Sequence, residues 1–135
     1  MKLNTFLNFG GNCEAALRFY EQHLGGTVTM LMRRAEVPDQ PVTWPGWEHS
    51  IQYGVLELGD TQLFASDVPP DRFQPMRSVY LTLTAGSAGD AERIWALLAE
   101  GGQVFMPMEE TVFAERFGQL RDRFGTSWMI LAPRP

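Results

Sequence analysis

One cysteine and two histidines are all this 135-residue chain contains of those residues, and the scarcity excludes several classes at once. Cys13 has no partner for an internal disulfide, which fits a reducing compartment. No apolar run approaches the roughly 18 residues that cross a bilayer, and the opening MKLNTFLNFGGN has neither a signal-peptide core nor a small-residue cleavage site. A cytoplasmic protein without a membrane partner is expected. Basic residues are outnumbered 11 to 16, the net charge is −5, and no stripe of Lys or Arg could follow a phosphate backbone. Nucleic acid is not an expected partner.

What is present is an internal echo. LGGTVTM at 24–30 returns as EGGQVFM at 100–106, and each copy ends a helix-like stretch and opens a strand-like one. The paired glycines Gly25 and Gly101 lie 76 residues apart, beyond solenoid periods of about 20 to 50 and suited to a duplicated half-domain. A length of 135 residues matches one domain with a core of its own.

Along the chain, LNTFLNF at 3–9 alternates as a strand, with Leu7 and Phe9 on one face and Asn4, Phe6 and Asn8 on the other. Asn12 is a helix N-cap, Ala16, Leu17, Phe19, Tyr20 and Leu24 follow at helical spacing, and Gly25-Gly26 stops them. A strand near 27–33, a Pro- and Trp-containing loop from Val37 to Gly46, and a hairpin turning at Gly59-Asp60 complete a β-α-β-β-β order. Residues 68–76, with three prolines, read as a linker. The order then restarts: a strand at 78–84, a helix opened by Ser87 and Asp90 at capping-box spacing, Gly101-Gly102, and strands in VFMPM, RFGQLRD and SWMILA. The modules span about 1–67 and 77–133.

GNCEAALRFYEQHLGG, LGDTQLFASD and LLAEGGQVFMPMEETVFAERFGQLRDRFGTSWMI together resemble the PhnB-like branch of the glyoxalase/bleomycin-resistance, or vicinal oxygen chelate, superfamily over nearly the whole chain. The resemblance implies an α+β fold in which two βαβββ modules form a curved, U-shaped mixed sheet around a cleft, in a homodimer. Similar proteins carry glyoxalase, dioxygenase and demethylubiquinone methyltransferase names. The last name fits these residues poorly, because a nucleotide-type cofactor fold places a glycine-rich turn in a parallel α/β pattern, and Gly10-Gly11 sits on a βαβββ background.

Metal-using members of that superfamily place His, Glu or Gln ligands on the first and last strands of each module. Carried over residue by residue, those positions fall on Asn4 (or Thr5 with a one-residue shift), Phe64, Ser78 with Tyr80 beside it, and Met129. Such a set does not suit a divalent ion, so no metal and no cofactor are expected. His23 ends a helix, where a positive charge favours the dipole. His49 is either a surface residue or a contact at the cleft mouth. Cys13, at a helix start that would lower a thiol pKa, is either inert or reactive.

The ligand-binding residues expected on the concave face are Phe6, Asn8, Tyr53, Phe64, Ser66, Tyr80 and Met129, with Thr82 beside them. Apolar walls with a few polar groups are the composition of small-molecule sites. In PhnB-like relatives a His commonly stands at the position of Tyr53. Glu109, Glu110 and Glu115 are either an acid/base cluster or a solvated segment flanked by Arg116, and Phe105, Phe113 and Phe117 suit a core or a dimer contact. The Trp44-Pro45-Gly46-Trp47 loop can stack on a planar ligand or pack at a dimer interface. The expected function is metal-independent binding of a small molecule. The alternative is a glyoxalase- or dioxygenase-type enzyme with a metal site rebuilt from residues such as Glu115, His49 and Asp67.

Overall fold

Alternation at the start of the chain puts Leu7 and Phe9 inward, and the helix that follows covers them with Ala16, Leu17 and Tyr20, all buried in the computed structural model of the protein. The structure describes residues 1–42 and 44–135. Two compact units result, Met1–Gln74 and Pro75–Pro135. The first contains strand β1 (Thr5–Phe9), helix α1 (Cys13–Leu24), and strands β2 (Thr27–Arg33), β3 (Ile51–Leu58) and β4 (Thr61–Asp67). Its sheet runs in the order β1-β4-β3-β2, with β1 parallel to β4 and the other pairs antiparallel. Full burial of a side chain such as Leu17 stabilises by about 1.5 to 3 kcal/mol, so this helix face holds the unit together.

The second unit repeats the plan. Strand β5 (Leu81–Thr84), helix α2 (Ala88–Ala99), and strands β6 (Gln103–Glu109), β7 (Ala114–Arg121) and β8 (Ser127–Pro133) form a sheet ordered β5-β8-β7-β6, again with one parallel pair. Ser87 caps α2 by accepting a 3.1 Å hydrogen bond from the Asp90 N–H, as its spacing indicates, and Ala91, Ile94 and Leu98 face inward. The echo has a conformational cause: Gly25 and Gly101 follow their helices with φ of 80° and 74°, a region side chains avoid.

A second pair of glycines shows the duplication more closely. A Cβ on Gly54 of β3 would lie 2.8 Å from Leu17 of α1, and one on Gly118 of β7 would lie 2.6 Å from Trp95 of α2. Each module uses a bare backbone to seat its helix. This pair is 64 residues apart, against 76 for Gly25 and Gly101, so the first module holds extra chain between the two markers. The excess lies within the stretch 34–50 between β2 and β3, whereas β6 and β7 are separated only by 110–113. It opens with a 3-10 turn, Arg34–Glu36, that the hydrophobic pattern does not foreshadow.

Three expectations change. The first strand starts at Thr5, leaving Asn4 outside it. The strand opening the second module starts at Leu81 rather than 78, because Ser78 has φ 57° and Tyr80 precedes the pairing. Within the segment read as a linker, Val68 donates to the Phe9 carbonyl at 2.7 Å and the Phe73 ring lies against Gly10, so its first residues fold onto the first unit. Among the described residues, no helix is long and apolar enough to cross a membrane.

Candidate functional site

In the first unit, β1 presents Phe6 and Asn8 on the face opposite α1, and the parallel register sets them beside Phe64 and Ser66 of β4. Tyr53 of β3 joins them: its ring centroid is 6.4 Å from Phe6 and 6.0 Å from Phe64. Ser66 Oγ lies 3.5 Å from Asn8 Oδ1 as a long hydrogen bond. Five of the seven expected ligand-binding residues thus share one sheet face, three aromatic and two polar. Phe6 remains 48% exposed, so the patch is open to solvent.

The other two lie in the second unit. Met129 of β8 pairs with Thr82 of β5 and Gln119 of β7. Tyr80, just ahead of β5, has its ring 6.1 Å from Phe105, and the Arg121 guanidinium sits 5.2 Å over that same ring. Of the four positions carried over from metal-using proteins, Asn4 lies by the β3–β4 turn in a concavity shared with Glu57 and Gln62. Thr5, its alternative, alternates with Leu7 and Phe9 and so belongs to the α1 side. Among the described residues, no group of three His, Cys, Asp or Glu side chains is placed to hold a metal ion.

Asp67, a candidate ligand in the metal reading, has another occupation. It ends β4, is 1% exposed, and its Oδ1 accepts from the Gly11 and Cys13 N–H groups at 2.9 Å each while Oδ2 accepts from the Ile51 N–H at 2.8 Å. The carboxylate therefore caps α1 from across the sheet and ties β3 to the same point. Asn12 occupies the N-cap position, but its side chain makes no capping hydrogen bond. The Gly10-Gly11 turn and the helix N-terminus, which in other folds receive a ligand anion, are filled here by the chain's own carboxylate.

Burial settles the two readings of Cys13. Desolvation first, then the Asp67 and Glu14 carboxylates, push its thiol well above the ordinary range, against the lowering expected at a helix start. The nearby Glu14 is held below the usual carboxylate range by the Arg33 guanidinium, which meets it at 2.9 and 3.0 Å. His49 is exposed and lines, with Trp47, Glu14 and Asp67, an open concavity of about 330 Å³. His23 stacks 4.4 Å from Phe19 at the end of α1. Of the acidic cluster, Glu110 pairs with Arg134 at 3.0 Å, and Arg116 turns to Glu92 at 2.8 Å. Phe113 and Phe117 stack edge-on at 5.0 Å.

The hydrophobic pattern does not reveal a second concavity in the extra segment of the first module. Arg34, Trp44, Gln52 and Arg72 line it, and the one sequence signal for it is the 12-residue change in glycine spacing between the modules.

The model of the family described as 3-demethylubiquinone-9 3-methyltransferase matches residues 1–131. Protein PA1353 from Pseudomonas aeruginosa is 34% identical, with a TM-score of 0.91 over 100% of this chain and 99% of that one. A PhnB protein from Bacillus cereus is 24% identical with a TM-score of 0.83 over 98% and 99%. A glyoxylase/bleomycin resistance protein/dioxygenase domain from Frankia sp. EAN1pec, at 15% identity, shares the fold with a TM-score of 0.65 over 99% and 98%. Built of two βαβββ units and matched by the family model over nearly every residue, the chain belongs to the 3-demethylubiquinone-9 3-methyltransferase family, in its PhnB-like branch, on the glyoxalase/bleomycin-resistance fold.

Proposed function

We propose that the protein binds a small, largely apolar organic molecule without a metal ion, as glyoxalase/bleomycin-resistance-type binding proteins do. The observation that carries this reading is the cluster of Phe6, Tyr53 and Phe64 on the helix-free face of the first sheet, with Asn8 and Ser66 at its polar end. Three rings offer a planar ligand stacking and edge contacts, and the hydroxyl and amide groups orient it. Tyr80 and Met129 mark a corresponding apolar surface on the second unit's own sheet.

The methyltransferase activity in the family's name does not follow from these residues. A cofactor-binding glycine turn would have to release Asp67 from the Gly11 and Cys13 N–H groups before it could hold another anion. The metalloenzyme alternative meets the same obstacle, because Asp67 already serves three backbone donors.

We also infer a homodimer in the cytoplasm. Val112 and Phe113, at 94% and 61% exposure between β6 and β7, are apolar surface that a second copy would cover, and Cys13 is a free thiol.

The test is isothermal titration of EDTA-stripped protein with an uncharged planar probe, 1-naphthol. Saturable binding of one molecule per chain is expected, weakened about tenfold in F64A or Y53A, since aromatic pairs contribute roughly 0.5 to 1.5 kcal/mol beyond their buried area. Binding that appears only after zinc, nickel, manganese or iron(II) is added would favour the metalloenzyme instead.

A further inference from the structure

The two modules differ most in the stretch between β2 and β3, and Arg34, Gln40, Pro41 and Trp44 from it line, with the turn after β4, a partly open cavity of about 90 Å³. That is room for several waters, and so for the oxyanion group of a small molecule. Its lining contains two guanidiniums, Arg34 and Arg72, and no carboxylate among the described residues, in a chain whose net charge is −5.

Arg34 is fixed in an unusual way. Its Nε donates to Ser50 Oγ at 2.9 Å, one terminal nitrogen donates to Gln52 Oε1 at 2.6 Å, and the other donates to the Asp67 carbonyl. The Arg34 N–H also donates to the Ser50 carbonyl at 2.9 Å, so backbone and side chain are anchored together. All three side-chain acceptors are neutral, and the Asp67 carboxylate is occupied by Gly11, Cys13 and Ile51. Arg34 forms no ion pair among the described residues, whereas its neighbour Arg33 pairs with Glu14 at 2.9 Å. A guanidinium has five N–H donors, so three neutral contacts leave two for an incoming acceptor. The Arg72 N–H donates to the Pro69 carbonyl at 2.9 Å, and its side chain is exposed and makes no ion pair among the described residues.

The rest of the lining mixes the polar Gln40 and Gln52 with apolar surface from Trp44, Pro41 and Pro69. A partly enclosed guanidinium pair strengthens charge-assisted bonds to an oxyanion, and an indole beside it accepts the flat part of the same molecule. We propose that this pocket binds the oxyanion group of a small metabolite, a carboxylate or a phosphate, with Arg34 as the fixed fork and Arg72 as the second, mobile contact. The site shares no lining residue with the Phe6, Tyr53 and Phe64 cluster and stands whether or not that cluster binds a ligand.

The experiment is isothermal titration with sodium phosphate and, separately, sodium benzoate, at ionic strength held constant with chloride. At least one probe binds saturably, one per chain, and R72Q weakens it by about tenfold to a hundredfold, the scale of one charge-assisted contact. Phosphate alone identifies a tetrahedral oxyanion, and benzoate alone an aryl carboxylate. R34K keeps the charge but loses the fork and is expected to weaken binding as well. Should R34K melt early, R72Q decides alone, because the Arg72 side chain is exposed. Absence of saturable binding of both probes, or affinity unchanged in R72Q, overturns the proposal.

Discussion

Replacing Asp67 with Asn tests whether one carboxylate fastens the first module. The carboxylate accepts three backbone N–H groups at 2.8 to 2.9 Å from a position 1% exposed. Asparagine keeps one oxygen, which serves Gly11 and Cys13, but its amide then turns N–H toward the Ile51 N–H. One charge-assisted bond is lost, a buried donor is left unsatisfied, and the remaining two bonds become neutral. Hydrogen bonds to charged groups contribute roughly 1.5 to 3 kcal/mol and neutral ones about 1, so the gross loss is about 3 to 5 kcal/mol. Removing a buried charge relieves its desolvation, which offsets part of this. The expected net destabilisation is about 2 to 4 kcal/mol, with D67A costing more because all three donors lose their acceptor. Urea unfolding followed by far-ultraviolet circular dichroism measures it, as a lower midpoint with the slope unchanged. A D67N midpoint within about 0.5 kcal/mol of the parent, or above it, would refute the assignment of Asp67 as the fastening of α1 and β3.

G118A is expected to destabilise by about 1 to 3 kcal/mol, and more than G54A, because the new Cβ meets the rigid Trp95 ring at 2.6 Å rather than a Leu17 methyl at 2.8 Å; paired urea curves give the order. Cys13 is expected to resist dithionitrobenzoate at pH 8 until the protein is unfolded. Its folded pKa lies above the unfolded value, so its contribution to stability is complete below pH 9.0 and declines as pH rises beyond it, a slope that C13A should remove in thermal melts. Glu14 has the opposite sign: its folded pKa is lowered, so the stability it adds holds above about pH 4.5 and fades as pH falls. E14Q should cost no more than about 0.5 to 1 kcal/mol at pH 7, since both partners are partly exposed.

Periodicity and glycine placement were enough to read both modules, because each helix stripe and each left-handed stop is a local property. Tyr53, Phe64 and Ser66 reached one face for the same reason: β-strand alternation carries a face along each strand. The bounds of a strand are less legible than its faces: Asn4 falls outside β1, which starts at Thr5. Ser78 shows a second limit, since a positive φ at a serine has no composition signal and shortens the strand it was assigned to. Asp67 and Arg34 act through backbone atoms of Gly11, Ile51 and Ser50, distant in sequence. Such contacts follow from tertiary packing alone, and the sequence shows the stretch after Arg34 only as a Pro- and Trp-containing loop.

The central claim, binding without a metal, is met most directly by elemental analysis of protein purified without chelators or a metal-affinity tag. The account predicts transition-metal content far below one ion per 15.2 kDa chain. One stoichiometric zinc, nickel, manganese or iron per chain would contradict it.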